Sequence, residues 1–384
     1  MRIVLVPIGS QGDVLPVLAL AQRLQGAGHG VRLVSGDDVA AQATAAGIPF
    51  RSIGVDVRAT MAAHRDLFAF ARRMSPAVAE AVAAETDADA VLATFLGVAA
   101  GGVARRRNLP FFYAVAIPGL PTRELANPTS SPRVRSARGN LATHRRMARV
   151  VRMAFPAART LFAAPRPTYL HCFSRHVVPR PSDWPPEAHV TGYWFGEHTS
   201  TSGWQPEPEL RRFLDEGPPP ICVTFGSTVD RDPEGLARIL GEALRRTGRR
   251  AVVVTGWSGL AEPDLADNVH VAAHVPFDWL FDRVDAVVHH GGAGTTALAL
   301  RAGLPQVVVP SALDQPFWAG RLHTLGVSPA PLPRRELTAE RLVAALSADD
   351  HDMRRRARHL GDLVAAEDGT GAAVRIIEET VART

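Results

Sequence analysis

Lysine is absent from all 384 residues. Every one of the 43 basic side chains is therefore arginine, which excludes Schiff-base chemistry and a P-loop lysine. With heavy use of Ala, Arg, Gly and Pro, this omission reads as the coding bias of a GC-rich bacterial genome. Cysteine is nearly as scarce. Cys172 and Cys222 lie far apart, so reduced thiols and a cytoplasmic location are expected rather than a disulfide framework. No apolar run approaches the ~18–20 residues needed to cross a bilayer. The opening MRIVLVPIGS lacks the long apolar region and small-residue cleavage site of a secretory signal, and reads as a first strand. The charge excess is small, +5 overall, which argues against nucleic acid as a partner.

What is present is an alternation of short apolar runs and helical stretches, the pattern of parallel sheets wrapped by helices. Strands are expected at 3–7, 31–35, 90–94 and 111–114, with helices at 14–27, 39–46 and 98–107. Gly28 and Gly47 fall where helix C-terminal glycines belong. From about 179 to 220 the chain turns rich in Pro, Trp and Ser, a connection holding one short helix at 209–215. The alternation then restarts, with strands at 221–225, 251–255, 269–272, 286–289 and 306–309. Helices are expected at 234–246, 279–281, 296–302 and 318–325, and residues 353–381 are mostly helical with a break at 368–371. The expectation is an α/β chain of two doubly wound parallel-sheet domains facing a cleft.

Four constellations carry chemistry. VVHHGGAGTT at 287–296 is a strand running into a glycine-rich turn and a helix. Such a turn lets backbone N–H groups reach an anion at a helix N-terminus, where aligned dipoles place roughly half a positive charge. Gly291, Gly292 and Gly294 clear the approach, Thr295 and Thr296 offer hydroxyls, and His290 adds a directional donor. FGST at 225–228 ends another strand, and parallel sheets bind ligands at the carboxyl ends of their strands. Ser227 and Thr228 therefore either reach the same anion or cap the next helix. Asp314 and Gln315, again at a carboxyl end, pair a carboxylate with an amide suited to sugar hydroxyls, or begin the next helix. GSQGD at 9–13 closes the set, with Asp13 either a cap or a general base. His29, His144, His171 and His176 show no metal-ligand spacing. The acidic clusters at 87–89 and 349–352 read as a turn and a solvated loop, so no metal site is expected.

With these elements in this order, the chain resembles nucleotide-sugar-dependent glycosyltransferases of the GT-B fold. More narrowly, it resembles the family 1 enzymes of antibiotic-producing actinomycetes and the related sterol glucosyltransferases. The resemblance is carried by GSQGDVLPVLALAQRLQGAGH at 9–29, TGYWF at 191–195, FGST at 225–228 and HVPFDWLF at 274–281. It continues through HHGGAGT at 289–295 and LPQVVVPSALDQPFWAGRL at 304–322. It implies two Rossmann-like domains: an acceptor-binding domain at 1–195, a linker at 196–218, a nucleotide-sugar domain at 219–362, and a final helix at 363–384 crossing back. His290 and the amides of Gly291, Gly292, Ala293, Gly294 and Thr295 would hold the diphosphate, assisted by Ser227 and Thr228. His274 and Val275 would flank the base, Asp314 and Gln315 would hold the donor sugar, and Ser10 and Gly12 count with the donor site. Asp13 matches the aspartate proposed as base in the GSxGD branch. Many relatives place a histidine in this first loop with an aspartate near the fourth strand, but no histidine lies in 9–16, and Thr94 and Phe95 occupy the partner's neighbourhood.

The implied reaction is a single displacement with inversion, from a dTDP- or UDP-sugar co-substrate to a hydroxyl, or a ring carbon, of a small lipophilic acceptor such as a natural-product aglycone. No cofactor or metal is required, because the protein supplies the positive potential. The alternatives are a sugar-nucleotide epimerase or hydrolase on the same fold and a non-catalytic auxiliary homologue. The protein is expected as a monomer or homodimer. Residues 119–180 match the family least, and acceptor specificity is expected there. No Asp or Glu occurs from Leu125 to Ser182, while Arg133, Arg135, Arg138, Arg145, Arg146, Arg149, Arg152 and Arg159 gather around apolar residues. Met147, Val150, Val151 and Phe155 are available for an apolar face. That basic amphipathic helix, within 133–159, either lines an acceptor pocket or makes weak peripheral contact with an anionic membrane.

Overall fold

The computed structural model describes the chain except for residues 64–65, 131–135, 164–165, 197–203, 227–229, 257–267 and 349–350. It divides into two compact units. The first comprises Met1–Asn127, Arg133–Ser202 and Glu367–Thr384, and the second Gly203–Ala366 with Pro128–Pro132.

The first unit is built on seven strands: β1 (Arg2–Val6), β2 (Gly30–Ser35), β3 (Phe50–Ser52), β4 (Ala90–Ala93), β5 (Phe111–Val115), β6 (Thr168–His171) and β7 (Ala188–Val190). They are all parallel and lie in the order β3-β2-β1-β4-β5-β6-β7. Helices cover both faces of a parallel sheet, so its central strands read as unbroken apolar runs. Accordingly Ile3 to Val6 and Ala90 to Ala93 are fully buried. The order reverses direction between β1 and β4, the point where open parallel sheets place ligands.

The second unit repeats the scheme with five parallel strands: β8 (Ile221–Thr224), β9 (Ala251–Val254), β10 (Val269–Ala272), β11 (Ala286–His289) and β12 (Gln306–Val308). Their order is β10-β9-β8-β11-β12, and the reversal falls between β8 and β11. The helix after β11 (Ala293–Arg301) is held from behind by the His351–Ala365 helix. Gly361 makes that crossing close, because a Cβ there would lie 2.8 Å from the Leu300 carbonyl oxygen.

Helices begin earlier than residue periodicity suggests. The first starts at Gln11 rather than 14, placing Gly12 and Asp13 in its first turn, and the helix after β11 starts at Ala293 rather than 296. A first turn makes no demand on apolar spacing, so glycine-rich starts read as loops. Several described elements fall outside the expected set. β3 and β7 are three residues each, and β6 hides a fully buried His171 in TYLH. The Leu67–Ala83 helix contains Pro76 yet buries Phe70, Met74 and Val78, and Asp66 caps it by accepting from Phe68 N–H and Ala69 N–H. Another is the Ala339–Ser347 helix, capped by Thr338, whose Leu342 and Leu346 join the second unit's core. In the 196–218 stretch, Pro208–Asp215 is helical and buries Leu210 among core residues of the second unit. Residues Asp349 and Asp350 of the acidic 349–352 cluster lie outside the described residues. No described helix is long and apolar enough to cross a membrane.

The last helix (Gly369–Val381) belongs to the first unit. Asp368 caps it by accepting from Gly371 N–H at 2.9 Å, and Ala373, Val374 and Ile377 join Ile3, Leu5, Leu18 and Leu20 in the first unit's core. Removing buried methylenes costs transfer free energy plus a cavity term, about 2–5 kcal/mol for Ile to Ala. Ile377→Ala should therefore speed amide exchange in β1 and β2, read by mass spectrometry, while leaving β8 and β11 unchanged. Unchanged exchange in β1 and β2 would place this helix outside the first unit's cooperative core.

Candidate active site

Both reversal points carry candidate site residues, each within its own unit. In the second unit, β8 leads into Gly226 and β11 into His290. The polypeptide turns at Gly291 (φ 87°), where a Cβ would lie 2.7 Å from Val308 Cγ1. Gly292 is the N-cap of the Ala293–Arg301 helix, and the first helical bond runs from Thr296 N–H to the Gly292 carbonyl. The amides of Ala293, Gly294 and Thr295 therefore have no partner within the helix and point along its positive end.

The His290 ring fits only because its neighbours have no side chains. A Cβ on Gly292 would overlap His290 Nε2, and one on Gly226 (φ 58°) would stand 3.0 Å from Cε1. Burial lowers the His290 pKa to about 4, so the imidazole is neutral at physiological pH. Its Nδ1 is buried with no hydrogen-bond partner among the described residues. His289, which sequence reasoning misses, sets the turn. Its Nδ1 accepts from Gly291 N–H at 3.1 Å, which leaves Nε2 to donate to Gln306 Oε1 at 2.9 Å. Burial and the adjacent His290 lower its pKa to about 3, offset in part by the bond to Gln306.

Of the remaining donor-site expectations, Thr295 is half-buried at the helix start, but Thr296 is fully buried and cannot offer its hydroxyl outward. The side chain of Val275 packs into the core, so only its backbone is available to a ligand, whereas His274 is exposed. Ser227 and Thr228 lie outside the described residues. Asp314 and Gln315 follow Leu313, which holds a left-handed φ of 55° and stands 63% exposed. The Asp314 carboxylate accepts from the Trp318 indole N–H at 2.8 Å instead of capping the helix, and burial raises its pKa against that bond. The Gln315 amide oxygen accepts from Ser311 N–H (2.8 Å), Ser311 Oγ (2.9 Å) and Ala312 N–H (3.2 Å). That oxygen is thus committed to the loop, and the expected acceptor on Gln315 is replaced by a structural tie.

In the first unit, Ser10 is the N-cap of the Gln11–Gly26 helix and Asp13 its third residue. Asp13 Oδ2 accepts from Ser10 N–H at 2.9 Å and from Ser10 Oγ at 3.2 Å. Gly9 (φ 143°) leaves room for that carboxylate, since a Cβ there would collide with it. Across the reversal point, Thr94 Oγ1 accepts from Ile8 N–H at 3.1 Å and fastens the loop after β1 to the end of β4. Thr94 thus occupies the expected partner position but ties backbone rather than orienting a base. Burial, then Tyr169 and the charge on Asp13, raise the pKa of Tyr113, and burial with a smaller push from Asp13 takes that of Cys172 up to about 12.

Residues 3–123 match the glycosyltransferase family 28 N-terminal domain, and residues 251–379 match the C-terminal domain of erythromycin biosynthesis protein CIII-like proteins. The chain is 32% identical to the vancomycin aglycone glucosyltransferase of Amycolatopsis orientalis, covering 100% of this chain and 98% of that one. It is also 32% identical to sterol 3-beta-glucosyltransferase UGT80A2 of Arabidopsis thaliana over 98% of its own length, and spans 65% of that longer protein. Its fold matches glycosyltransferase VinC, solved in complex with dTDP, with a TM-score of 0.70 at 20% identity over 100% of both chains. The architecture is GT-B.

The neutral histidine pair has a measurable signature. Unfolded chain protonates these rings near pH 6.5 and the folded protein does not, so stability falls as the pH drops from about 6.5 toward 4. Nitrogen-15 spectra of histidine-labelled protein at pH 6 should show His289 as the Nε2–H tautomer and His290 uncharged. A protonated His290 at pH 6 would contradict the seat described between Gly226 and Gly292.

Proposed function

The chain belongs to the glycosyltransferases that join a family 28 N-terminal domain to an erythromycin CIII-like C-terminal domain, and from that premise we propose that it moves a sugar from a nucleoside diphosphate to a small lipophilic acceptor with inversion. The observation that carries this reading is the anion cradle: the unpartnered amides of Ala293 to Thr295 beside a neutral His290. The dTDP bound by VinC supports a dTDP- or UDP-sugar as co-substrate, and the vancomycin-aglycone and sterol relatives support a hydroxyl-bearing natural-product acceptor.

In the proposed reaction an acceptor oxygen, or a ring carbon in an activated phenol, attacks the anomeric carbon from the face opposite the leaving group. The bond to the diphosphate breaks and its electrons stay on the phosphate oxygen. Preorganised N–H groups aimed at that developing charge stabilise it without reorganisation. His290 contributes one neutral N–H, and its unpartnered buried nitrogen supports a side chain kept for a ligand. Asp314 takes sugar hydroxyls through its carboxylate while the Trp318 indole holds it in place. The first unit receives the acceptor, and Asp13, oriented by Ser10, removes its proton. The positive potential comes from backbone and imidazole, so the reading calls for no metal ion.

Three substitutions separate these roles. His290→Ala should leave the fold intact and lower kcat by about 10²–10³, the usual loss for one charge-stabilising donor. Asp13→Asn keeps the contact to Ser10 but removes basicity, and should cut turnover about 10²–10⁴-fold with melting temperature little changed. If Asp13→Asn instead lowers stability and keeps full activity per folded molecule, Asp13 is a cap and not the base. Asp314→Ala should weaken use of the sugar nucleotide by about 1–3 kcal/mol while calorimetric binding of the bare nucleoside diphosphate stays the same. Equal weakening of both ligands would move Asp314 to the diphosphate.

A further inference from the structure

The N-terminal half of the Ala137–Ala154 helix of the first unit is anchored through polar groups rather than an apolar face. Asn140 and His144 are its buried residues, a reversal of ordinary amphipathic order. Asn140 Nδ2 donates to the Arg123 carbonyl at 3.0 Å, and His144 engages Leu125 O (3.2 Å) and Asn127 (3.1 Å). Near its C-terminal end, Val151 packs on the core with the buried Phe155 just beyond the helix, but Val150 is 42% and Met153 73% exposed. Of the apolar face expected at Met147, Val150, Val151 and Phe155, Val150 is therefore turned to solvent.

Beside those exposed side chains runs a cationic stripe. Arg145, Arg149 and Arg152 recur at helical spacing, all are exposed, and none makes an ion pair among the described residues. Arg152 instead lies over the Phe162 ring, 5.4 Å from its centroid. Arg149, Arg152 and Arg159 surround an open groove of about 420 Å³ whose remaining lining is Met153, Phe162 and Ala163. The charge is concentrated here: eleven arginines and no acidic residue lie between Leu125 and Ser182, so the rest of a chain that totals +5 is net negative. Arg133 and Arg135 of this run lie outside the described residues.

We propose that this helix face docks the protein on an anionic lipid surface. A guanidinium matches a phosphate oxygen pair in its planar fork, and three of them around one groove suit a lipid phosphodiester. Val150 and Met153, between and beside the arginines, enter the headgroup boundary. An acidic protein partner would use the charges and leave Met153 without a role. Each arginine near such a surface contributes enough that the attraction of several is additive, and it falls with salt.

The test is sedimentation of the full chain with phosphatidylcholine vesicles and with vesicles carrying about 30% phosphatidylglycerol, at low and high salt. The parent should bind only the anionic vesicles, and less at high salt. Replacing Arg145, Arg149 and Arg152 together by Gln should weaken binding about 100-fold, and Met153→Asp alone should weaken it severalfold. All of these positions are exposed, and circular dichroism checks that the variants fold. The proposal is overturned if the parent ignores anionic vesicles at low salt, or if the triple variant binds as the parent does. It is also overturned if Met153→Asp has no effect and polyglutamate competes fully, which would assign the face to an acidic protein.

Discussion

Two missing Cβ atoms shape the candidate site of the second unit. Gly226 and Gly292 border the His290 ring, and any side chain at Gly292 would occupy the imidazole's own position. The same glycine is the N-cap whose successors leave their amides unpaired. One residue therefore seats the ring and opens the helix terminus to a ligand. The reversal of strand order between β8 and β11 makes room for both at one place.

The proposed cradle rests on the partial positive charge of a helix N-terminus rather than on a formal charge. Burial keeps both histidines neutral, and the chain offers no lysine to replace them. A helix N-terminus and aligned N–H groups are suited to that task, since they carry partial charge and lose little on desolvation. The arrangement must be rigid to be useful. The paired bonds of His289 to Gly291 and Gln306 tie the turn to β12, and the glycine crossing at Gly361 backs the helix. The first unit uses a related device at its own reversal point, where Thr94 fastens Ile8 and Ser10 holds Asp13.

Much of this is legible in the order of residues alone. Buried parallel strands announce themselves as unbroken apolar runs, so β1, β4, β8, β9 and β11 can be read to within a residue or two. The glycine turn is legible because strand, glycines and helix occur in immediate succession. What stays hidden depends on contacts across the chain. The tie from His289 to Gln306 spans seventeen positions, and the retirement of the Gln315 oxygen is set by the shape of the loop at Ser311. The burial of Thr296 follows from a helix that starts three residues early. The inward-facing Asn140 and His144 reverse ordinary amphipathic logic, and no periodicity argument can find them.

The central claim is that the Ala293–Arg301 helix terminus and His290 form the seat of a nucleoside diphosphate. A crystal structure with bound dTDP or UDP tests it most directly. The account predicts phosphate oxygens about 2.7–3.2 Å from the amides of Ala293 to Thr295 and within hydrogen-bond reach of the His290 ring. A diphosphate bound elsewhere, with these amides facing only water, would contradict it.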